Sequence, residues 1–182
     1  MLSRSCQSAA SSDYNRRVKV ELRDFRGEDF ESLWKIDRQC FPAGISYSRF
    51  ELAAYITRRQ SLTLIAEARD DIDVPAQVRT ARNISTATLG FIVAQFRHRT
   101  GHIITIDVLP EHRRLGVGST LLEACEARLK IQCCSSVSLE TAVDNTAALS
   151  FYKRHRYHVI KIIPHYYSTG VDAFLLSKEL SK

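Results

Sequence analysis

One segment constrains the fold of this chain more than any other, because an apolar run leads through a glycine-containing turn into a helical pattern. It reads IITIDVLPEHRRLGVGSTLLEACEARL and spans residues 103–129. Its β-branched first part predicts a buried strand. The spacing of Val117, Leu121, Leu122, Cys125 and Leu129 predicts a helix with one apolar side. A strand that turns directly into such a helix is typical of layered α/β folds.

The turn within this segment has the properties of a phosphate-binding site. Gly116 and Gly118 let backbone N–H groups approach a ligand closely, and the start of the helix adds the positive end of its dipole. Arg113 and Arg114 add positive charge. The spacing Arg-x-x-Gly-x-Gly is neither a Walker A loop nor the Rossmann pattern G-x-G-x-x-G. Taken alone, the pattern leaves an ordinary turn open as an alternative.

The rest of the chain completes an alternation of strands and helices. Ser48 and Glu51 form a capping-box signature before a short helix. The predicted order is β-α-α-β-β-β-α-β-α-β-β. Its strands lie at about 18–22, 62–68, 87–96, 102–108, 137–139, 157–163 and 172–180, and its helices at about 30–41, 52–56, 115–131 and 145–154. We expect a disordered tail over 1–16, a single domain over 17–182 and a surface loop near 69–86.

Charge and composition narrow the class of partner. The formal net charge of +6 favours an anionic partner, but Lys and Arg are spread along the chain, which argues against nucleic acid as a substrate. No apolar run reaches the roughly 20 residues that cross a bilayer, so we expect no membrane association. The five cysteines form no CxxC pair, which predicts no metal site and a reducing, cytoplasmic setting.

A second segment, SLETAVDNTAALSFYKRHRYHVI at residues 138–160, carries a candidate acid and base. Glu140 ends a predicted strand, Asn145 opens a helix, and Tyr152 follows two helical turns later. Transfer of an acyl group from a thioester to an amine needs a group that takes the amine proton and a group that protonates the thiolate. Read singly, the three residues also fit a solvated carboxylate, a helix N-cap and a core tyrosine.

Together these segments resemble the GNAT superfamily of acetyl-CoA-dependent N-acetyltransferases. The resemblance implies an α/β GNAT fold, with a central mixed β-sheet of about seven strands flanked by about four helices. It implies that Glu140 is the catalytic base, that Tyr152 is the catalytic acid, and that transfer is direct, without an acyl-enzyme. It implies acetyl-CoA as cosubstrate, bound by Ile106, Asp107, Val108, Arg113, Arg114, Leu115, Gly116, Val117, Gly118, Ser119 and Asn145.

Two further segments indicate the acceptor. CFPAGISYSRFELAAYI (40–56) and IIPHYYSTGVDAFLLSKEL (162–180) resemble the F-P…(Y/W)-S and N-Y-Y…D-A segments of N-terminal acetyltransferases, with His165 in place of the usual Asn. The resemblance implies that a protein N-terminus is the acceptor. The nearest pattern is that of bacterial ribosomal-protein-alanine N-acetyltransferases (RimI-like), followed by eukaryotic N-terminal acetyltransferase catalytic subunits. The implied substrate-binding residues are Phe41, Pro42, Tyr47, Tyr166 and Tyr167.

Two positions depart from the family pattern or extend it. Arg156-Tyr157 stands where relatives carry Gly-Phe, and a left-handed Arg156 is expected to cost about 1 kcal/mol. His102 aligns roughly with a tyrosine that acts as a base in some relatives. We hypothesise that His102 assists or replaces Glu140 in taking the amine proton, with a solvated histidine as the alternative.

Several alternatives remain open at this point. A GNAT enzyme that acetylates lysine side chains or a small amine would share the fold and the catalytic pair. A non-catalytic coenzyme A-binding module would keep the pocket and lose turnover. A basic nucleic-acid-binding domain would bind with strong salt dependence, but no recognised motif supports it. The oligomeric state is not predicted.

Overall fold

Alternating burial along the strands and an apolar side on each major helix set the architecture. The computed structural model describes residues 19–69 and 87–180. The helices are α1 (Phe30–Cys40), α2 (Arg49–Thr57), α3 (Val117–Ile131) and α4 (Thr146–Arg154). The strands are β1 (Lys19–Asp24), β2 (Ser61–Arg69), β3 (Thr88–Arg97), β4 (Thr100–Val108), β5 (Ser136–Ala142), β6 (His158–Ile163) and β7 (Ala173–Glu179). This confirms the predicted order of elements; the expected tail at 1–16 and most of the loop near 69–86 lie outside the described residues.

The seven strands form one mixed sheet in the order β1-β2-β3-β4-β5-β7-β6. Neighbouring strands are antiparallel except β4 and β5, which run in the same direction. A parallel pair needs a crossover connection, and α3 supplies it. The sheet and its four helices confirm the predicted fold class.

The parallel pair is joined only at its beginning. Residues Thr100 to His102 pair with Ser136 to Ser138, and no further pairing of these two strands occurs along β4 or β5. The strands therefore separate toward their carboxyl ends and leave a wedge between them. Crevices at the carboxyl ends of parallel strands are the usual ligand sites of open α/β sheets. We refer to the opening between β4 and β5 as the wedge.

Helices cover both faces of the sheet. The apolar side of α3, through Leu121, Leu122, Cys125 and Leu129, packs with α4 in one core cluster. On the other face α1 and α2 pack on the central strands in a second cluster that includes Phe91. Within the described ranges no helix is long and apolar enough to span a bilayer.

Two local features shape β4, the strand on one side of the wedge. Thr105 pairs with Val93 and Ile103 pairs with Ala94, so Ile104 is an extra residue and forms a β-bulge. Further along, an added Cβ at Gly90 of β3 would lie 2.2 Å from the carbonyl oxygen of Asp107. Glycine at this position therefore allows the two backbones to approach, which fixes the path of β4 along the wedge.

Candidate active site

The carboxylate of Glu140 lies where the wedge opens. Glu140 is two residues beyond the last β5 residue that pairs with β4, and its side chain is 15% exposed. Its Oε2 lies 3.0 Å from Nε2 of His102 on β4. The other ring nitrogen of His102, Nδ1, lies 3.0 Å from Oγ of Ser138. Ser138 and Glu140 share one face of β5 because they are two residues apart, so the imidazole bridges both strands.

Two tyrosines from the loop between β6 and β7 approach this carboxylate. The rings of Tyr166 and Tyr167 pack edge to face at 5.0 Å. Burial and then the nearby Glu140 carboxylate raise the pKa of Tyr166, and the same two causes raise the pKa of Tyr167. Both phenols therefore stay protonated near neutral pH and lie within electrostatic reach of the Glu140 carboxylate.

Tyr152 lies on α4 and is buried, with 6% of its surface exposed. Its ring packs edge to face on Phe151 and Tyr157. Burial raises the pKa of Tyr152, with further contributions from Asp107 and Tyr167. The phenol is therefore close enough to Asp107 at the end of β4 and to Tyr167 of the β6–β7 loop to be influenced by both, and it stays protonated near neutral pH.

The glycine turn begins α3 in a conformation that suits an anion. Gly116 is the N-cap with φ 90°, and Arg114 has φ 62°. The Thr120 N–H makes the first bond of the helix, to the Gly116 carbonyl, so the N–H groups of the preceding turn point out of its end. An added Cβ at Gly118 would meet the Phe151 ring at 3.5 Å, which is an ordinary contact. The outward N–H groups can bind the oxygens of a diphosphate. The positive φ at residue 116 explains why glycine is found there.

The arginines and the apolar residues of this turn have different surroundings. Arg113 folds back, and its Nε donates to the carbonyl of Val108 at 3.0 Å. Leu115 is exposed and precedes the helix, whereas Val117 is its first residue and is buried. The predicted helix start at 115 was therefore two residues early, because the left-handed Gly116 must precede the first helical residue.

The end of β4 presents backbone rather than polar side chains to the wedge. Ile106 and Val108 pack against the core cluster beneath α3. The Asp107 side chain is fully buried, and its Oδ2 accepts from Thr105 Oγ1 at 3.1 Å. In an antiparallel ladder every second residue directs its N–H and C=O away from the partner strand. The Leu109 N–H donates to the carbonyl of Leu89 opposite it, so Leu109 and Asp107 direct their backbone groups to β3. Ile106 and Val108 direct theirs toward the wedge, and the Asp107 carboxyl serves the interior.

Asn145 caps α4 at the other side of the wedge. Its Oδ1 accepts from the Ala148 N–H at 3.0 Å. The side-chain oxygen is thereby engaged in the helix, and the amide NH₂ remains the group that can donate to a ligand.

Both segments predicted for the acceptor lie beside the wedge and contact each other. The hydroxyl of Tyr47 donates to the carbonyl of the bulged Ile104 at 3.2 Å, and its backbone N–H donates to Asp37 Oδ2 at 2.8 Å. Ser168 Oγ, next to Tyr167, donates to the carbonyl of Gly44 at 2.9 Å. The α1–α2 loop and the β6–β7 loop therefore form one continuous rim.

Phe41 and Pro42 start this rim at the end of α1. The Phe41 N–H donates to the carbonyl of Asp37 at 3.0 Å, which ends the helix at Cys40. The Pro42 carbonyl accepts from the N–H groups of Ile45 and Ser46 at 3.1 Å each and forms a tight turn. This turn carries the chain from α1 to Tyr47.

Three residues that bear on the site were not among the sequence predictions. Ser138 shares the Glu140 face of β5, a relation that the two-residue spacing could have revealed. Asp37 lies one turn before Phe41 and holds the α1–α2 loop. Ser168 hydrogen-bonds to Gly44, 124 residues away in the sequence, and no local sequence pattern predicts a contact over that separation.

The mixed sheet, its wedge and the glycine turn at the start of α3 define a fold that binds acyl-coenzyme A. The sequence profile of the Acetyltransferase (GNAT) family matches residues 30–157, and the chain belongs to that family. The protein is accordingly an acetyl-CoA-dependent transferase. Among the described residues, no group of three or more His, Cys, Asp or Glu side chains is placed to hold a metal ion.

Two archaeal relatives align with nearly the whole chain. An N-alpha-acetyltransferase of Sulfurisphaera tokodaii is 29% identical over 164 residues, which is 89% of this chain and 94% of the relative. An N-alpha-acetyltransferase of Sulfolobus acidocaldarius is 27% identical over 169 residues, or 92% of this chain and 97% of the relative. Each relative therefore resembles this chain over nearly its whole length.

Solved structures show the same fold at lower identity. Ard1 from Thermoplasma volcanium superposes with a TM-score of 0.74 at 23% identity, covering 90% of this chain and 99% of that one. The ribosomal-protein-S18-alanine N-acetyltransferase from Escherichia coli gives a TM-score of 0.72 at 18% identity, covering 90% and 96%.

Proposed function

We propose that this protein transfers an acetyl group from acetyl-CoA to the α-amine of a protein N-terminus. The observation that carries the proposal is the Glu140–His102 pair at the mouth of the wedge, enclosed by the two tyrosine-bearing loops. The two archaeal relatives named N-alpha-acetyltransferase support the choice of acceptor.

Acetyl-CoA supplies the acetyl group as a thioester, and this chain contributes the groups that hold it. The N–H groups of residues 114–119 bind the diphosphate, with positive charge from Arg113 and Arg114. The open edge of β4 from Ile106 to Val108 pairs with the pantetheine arm, and the amide of Asn145 donates from the opposite side. The wedge then holds the thioester between β4 and β5.

The acceptor nitrogen must be neutral to attack the thioester carbonyl. An α-amine has a reference pKa near 8, about two units below that of lysine, so a carboxylate–imidazole pair suffices to remove its proton. Glu140 accepts this proton, directly or through His102, whose Nε2 lies 3.0 Å away. As the new C–N bond forms and the C–S bond breaks, the Tyr152 phenol gives its proton to the departing sulfur.

The rim selects a chain end rather than a side chain. Tyr166 and Tyr167 donate from one loop, and Phe41, Pro42 and Tyr47 bound the slot from the other. The peptide chain continues in both directions from an internal lysine but in only one direction from an N-terminal residue. A slot that is closed at one end therefore admits the N-terminal residue and excludes the internal lysine. We propose a small first residue, with alanine, the residue named for the Escherichia coli structure, as the first to test.

The test offers acetyl-CoA with peptides that begin with Ala, Ser, Met or Gly, and with N-terminally blocked peptides that contain lysine. We expect thiol release and a mass gain only with free α-amines. Glu140→Gln and Tyr152→Phe should each lower kcat by about tenfold to a hundredfold while the fold persists. Turnover of lysine or small amines alone would reassign the acceptor. Binding of acetyl-CoA without turnover of any amine would indicate a non-catalytic binding module.

A further inference from the structure

A histidine at the end of α4 contacts the turn that we assign to the coenzyme diphosphate. Nε2 of His155 lies 2.9 Å from Oγ of Ser119, and Nδ1 lies 4.0 Å from Oε1 of Glu123. The ring packs on Phe151 at 4.7 Å, and the His155 side chain is 15% exposed. The imidazole is thus fixed in the crevice between α3 and α4.

Ser119 is the third residue of α3, within the turn whose N–H groups point outward. A hydroxyl has one proton to donate and two lone pairs that accept. If Ser119 donates to His155, its proton is used inside the protein. If Nε2–H donates to Ser119, the hydroxyl proton is free for a ligand at the helix end. The direction of the hydrogen bond between His155 and Ser119 therefore decides whether the Ser119 hydroxyl can donate to a phosphate.

We propose that His155 is a positioning residue for the coenzyme. Its Nε2–H donates to Ser119 Oγ and directs the Ser119 hydroxyl proton toward the diphosphate. The inference rests on the proposed placement of acetyl-CoA at the start of α3.

Charged side chains of both signs line the crevice that holds His155. From α3, Glu123 and Glu126 line the same crevice as the imidazole, together with Lys130. Glu126 is already paired with Lys178 of β7 at 2.6 Å. The remaining charged residues that line the crevice are Arg154, Arg156 and Glu179. Positive and negative groups are nearly balanced there, so the hydrogen bond to Ser119 is the contact that connects the imidazole to the start of α3.

The experiment measures acetyl-CoA binding by calorimetry without an acceptor. His155→Leu should weaken binding about fivefold, the usual effect of one lost hydrogen bond. His155→Gln, which retains an N–H donor, should remain within about twofold of wild type. Ser119→Ala should also weaken binding, and adding His155→Leu to it should cause no further loss. The exposed His158 provides a matched control, because His158→Leu should leave the affinity unchanged.

Rescue by glutamine supplies a readout that packing alone would not move, because glutamine restores an N–H donor but not the imidazole ring. Equal affinities in wild type and His155→Leu, or a His155→Gln variant that binds as weakly as His155→Leu, would overturn the proposal. Absence of acetyl-CoA binding by the wild type would instead overturn the placement of the coenzyme.

Discussion

His102 and Glu140 are the two side chains to which the proposed function assigns removal of the amine proton. Each comes from one strand of the only parallel pair among the described strands, and their contact at 3.0 Å exists only because that pair separates immediately afterwards. The sequence predicted Glu140 as a base and raised His102 as a hypothesis. It did not predict that the two side chains meet, because the register of β4 against β5 has no local sequence signal.

His102→Gln tests whether the imidazole takes part in deprotonation. Glutamine keeps a hydrogen-bonding side chain beside Glu140 but cannot pass on the amine proton as an imidazole does. We expect kcat/KM to fall about tenfold. The measurement is the initial rate at subsaturating peptide, with His158→Gln, at an exposed histidine, as the matched control. A wild-type kcat/KM in His102→Gln would assign His102 a structural role.

Arg156 carries backbone strain that a single substitution should relieve. Its φ is 66°, directly after α4, which confirms the left-handed conformation expected where relatives have glycine. Arg156→Gly should raise the free energy of unfolding by about 1 kcal/mol, as measured by urea denaturation. Arg154→Gly, within the helix, should lower it by about as much. Equal and opposite changes would locate the effect in the backbone, whereas a loss of stability in Arg156→Gly would refute the strain.

Asp37 links the stability of the protein to pH. Its side chain is fully buried, and burial raises the pKa of Asp37 from 3.8 to about 6, although the Tyr47 N–H partly opposes this. The folded state therefore binds the proton more tightly than the unfolded state. The resulting stabilisation is complete below about pH 3.8 and is lost as the pH rises through about 6.

Asp37→Asn keeps a carbonyl oxygen for the Tyr47 N–H and removes the ionisation. At about pH 7.5 we expect the variant to exceed wild type in unfolding free energy by about 3 kcal/mol, with the difference vanishing near pH 4. Denaturant titrations at several pH values measure this. The exposed Asp24 serves as the control, because Asp24→Asn should leave the pH dependence intact. A constant difference between Asp37→Asn and wild type across pH would contradict the account.

At the scale of secondary-structure elements, the order of strands and helices was predictable and their distortions were not. The period-two and helical patterns, and the Ser48–Glu51 capping box, led to elements that the structure contains. The bulge at Ile104 and the separation of β4 from β5 depend on contacts between distant segments. The Ile104 carbonyl accepts a hydrogen bond from the Tyr47 hydroxyl in the α1–α2 loop, and local sequence patterns do not predict this partner.

Gly90 tests how strictly the path of β4 is fixed. A methyl group there would lie 2.2 Å from the Asp107 carbonyl oxygen, so the two backbones must move apart. Gly90→Ala should lower the free energy of unfolding by about 2 kcal/mol and weaken acetyl-CoA binding. Gly27→Ala, whose new methyl meets nothing within 4 Å, provides the control. Wild-type stability in Gly90→Ala would show that β4 can shift freely, against the arrangement described.

At the scale of the whole molecule, the site is assembled from both ends of the described chain. The α1–α2 loop and the β6–β7 loop meet through Ser168 and Gly44, and Glu140 lies in the strand next to β7. The family resemblance predicted both loops as acceptor segments, and the structure brings them together. The two loops are far apart in sequence, because one lies between α1 and α2, after β1, and the other lies between β6 and β7. The contact between them depends on the complete sheet, in which β1 and β6 are the two edge strands.

The most direct test of the central claim is one peptide that offers both kinds of amine. It begins with a free alanine and contains an internal lysine, and the acetylated product is located by fragmentation in a mass spectrometer. The account predicts acetyl on the α-amine alone, with the lysine unmodified even after the N-terminus is consumed. Acetyl on the lysine at any stage of the reaction would contradict it.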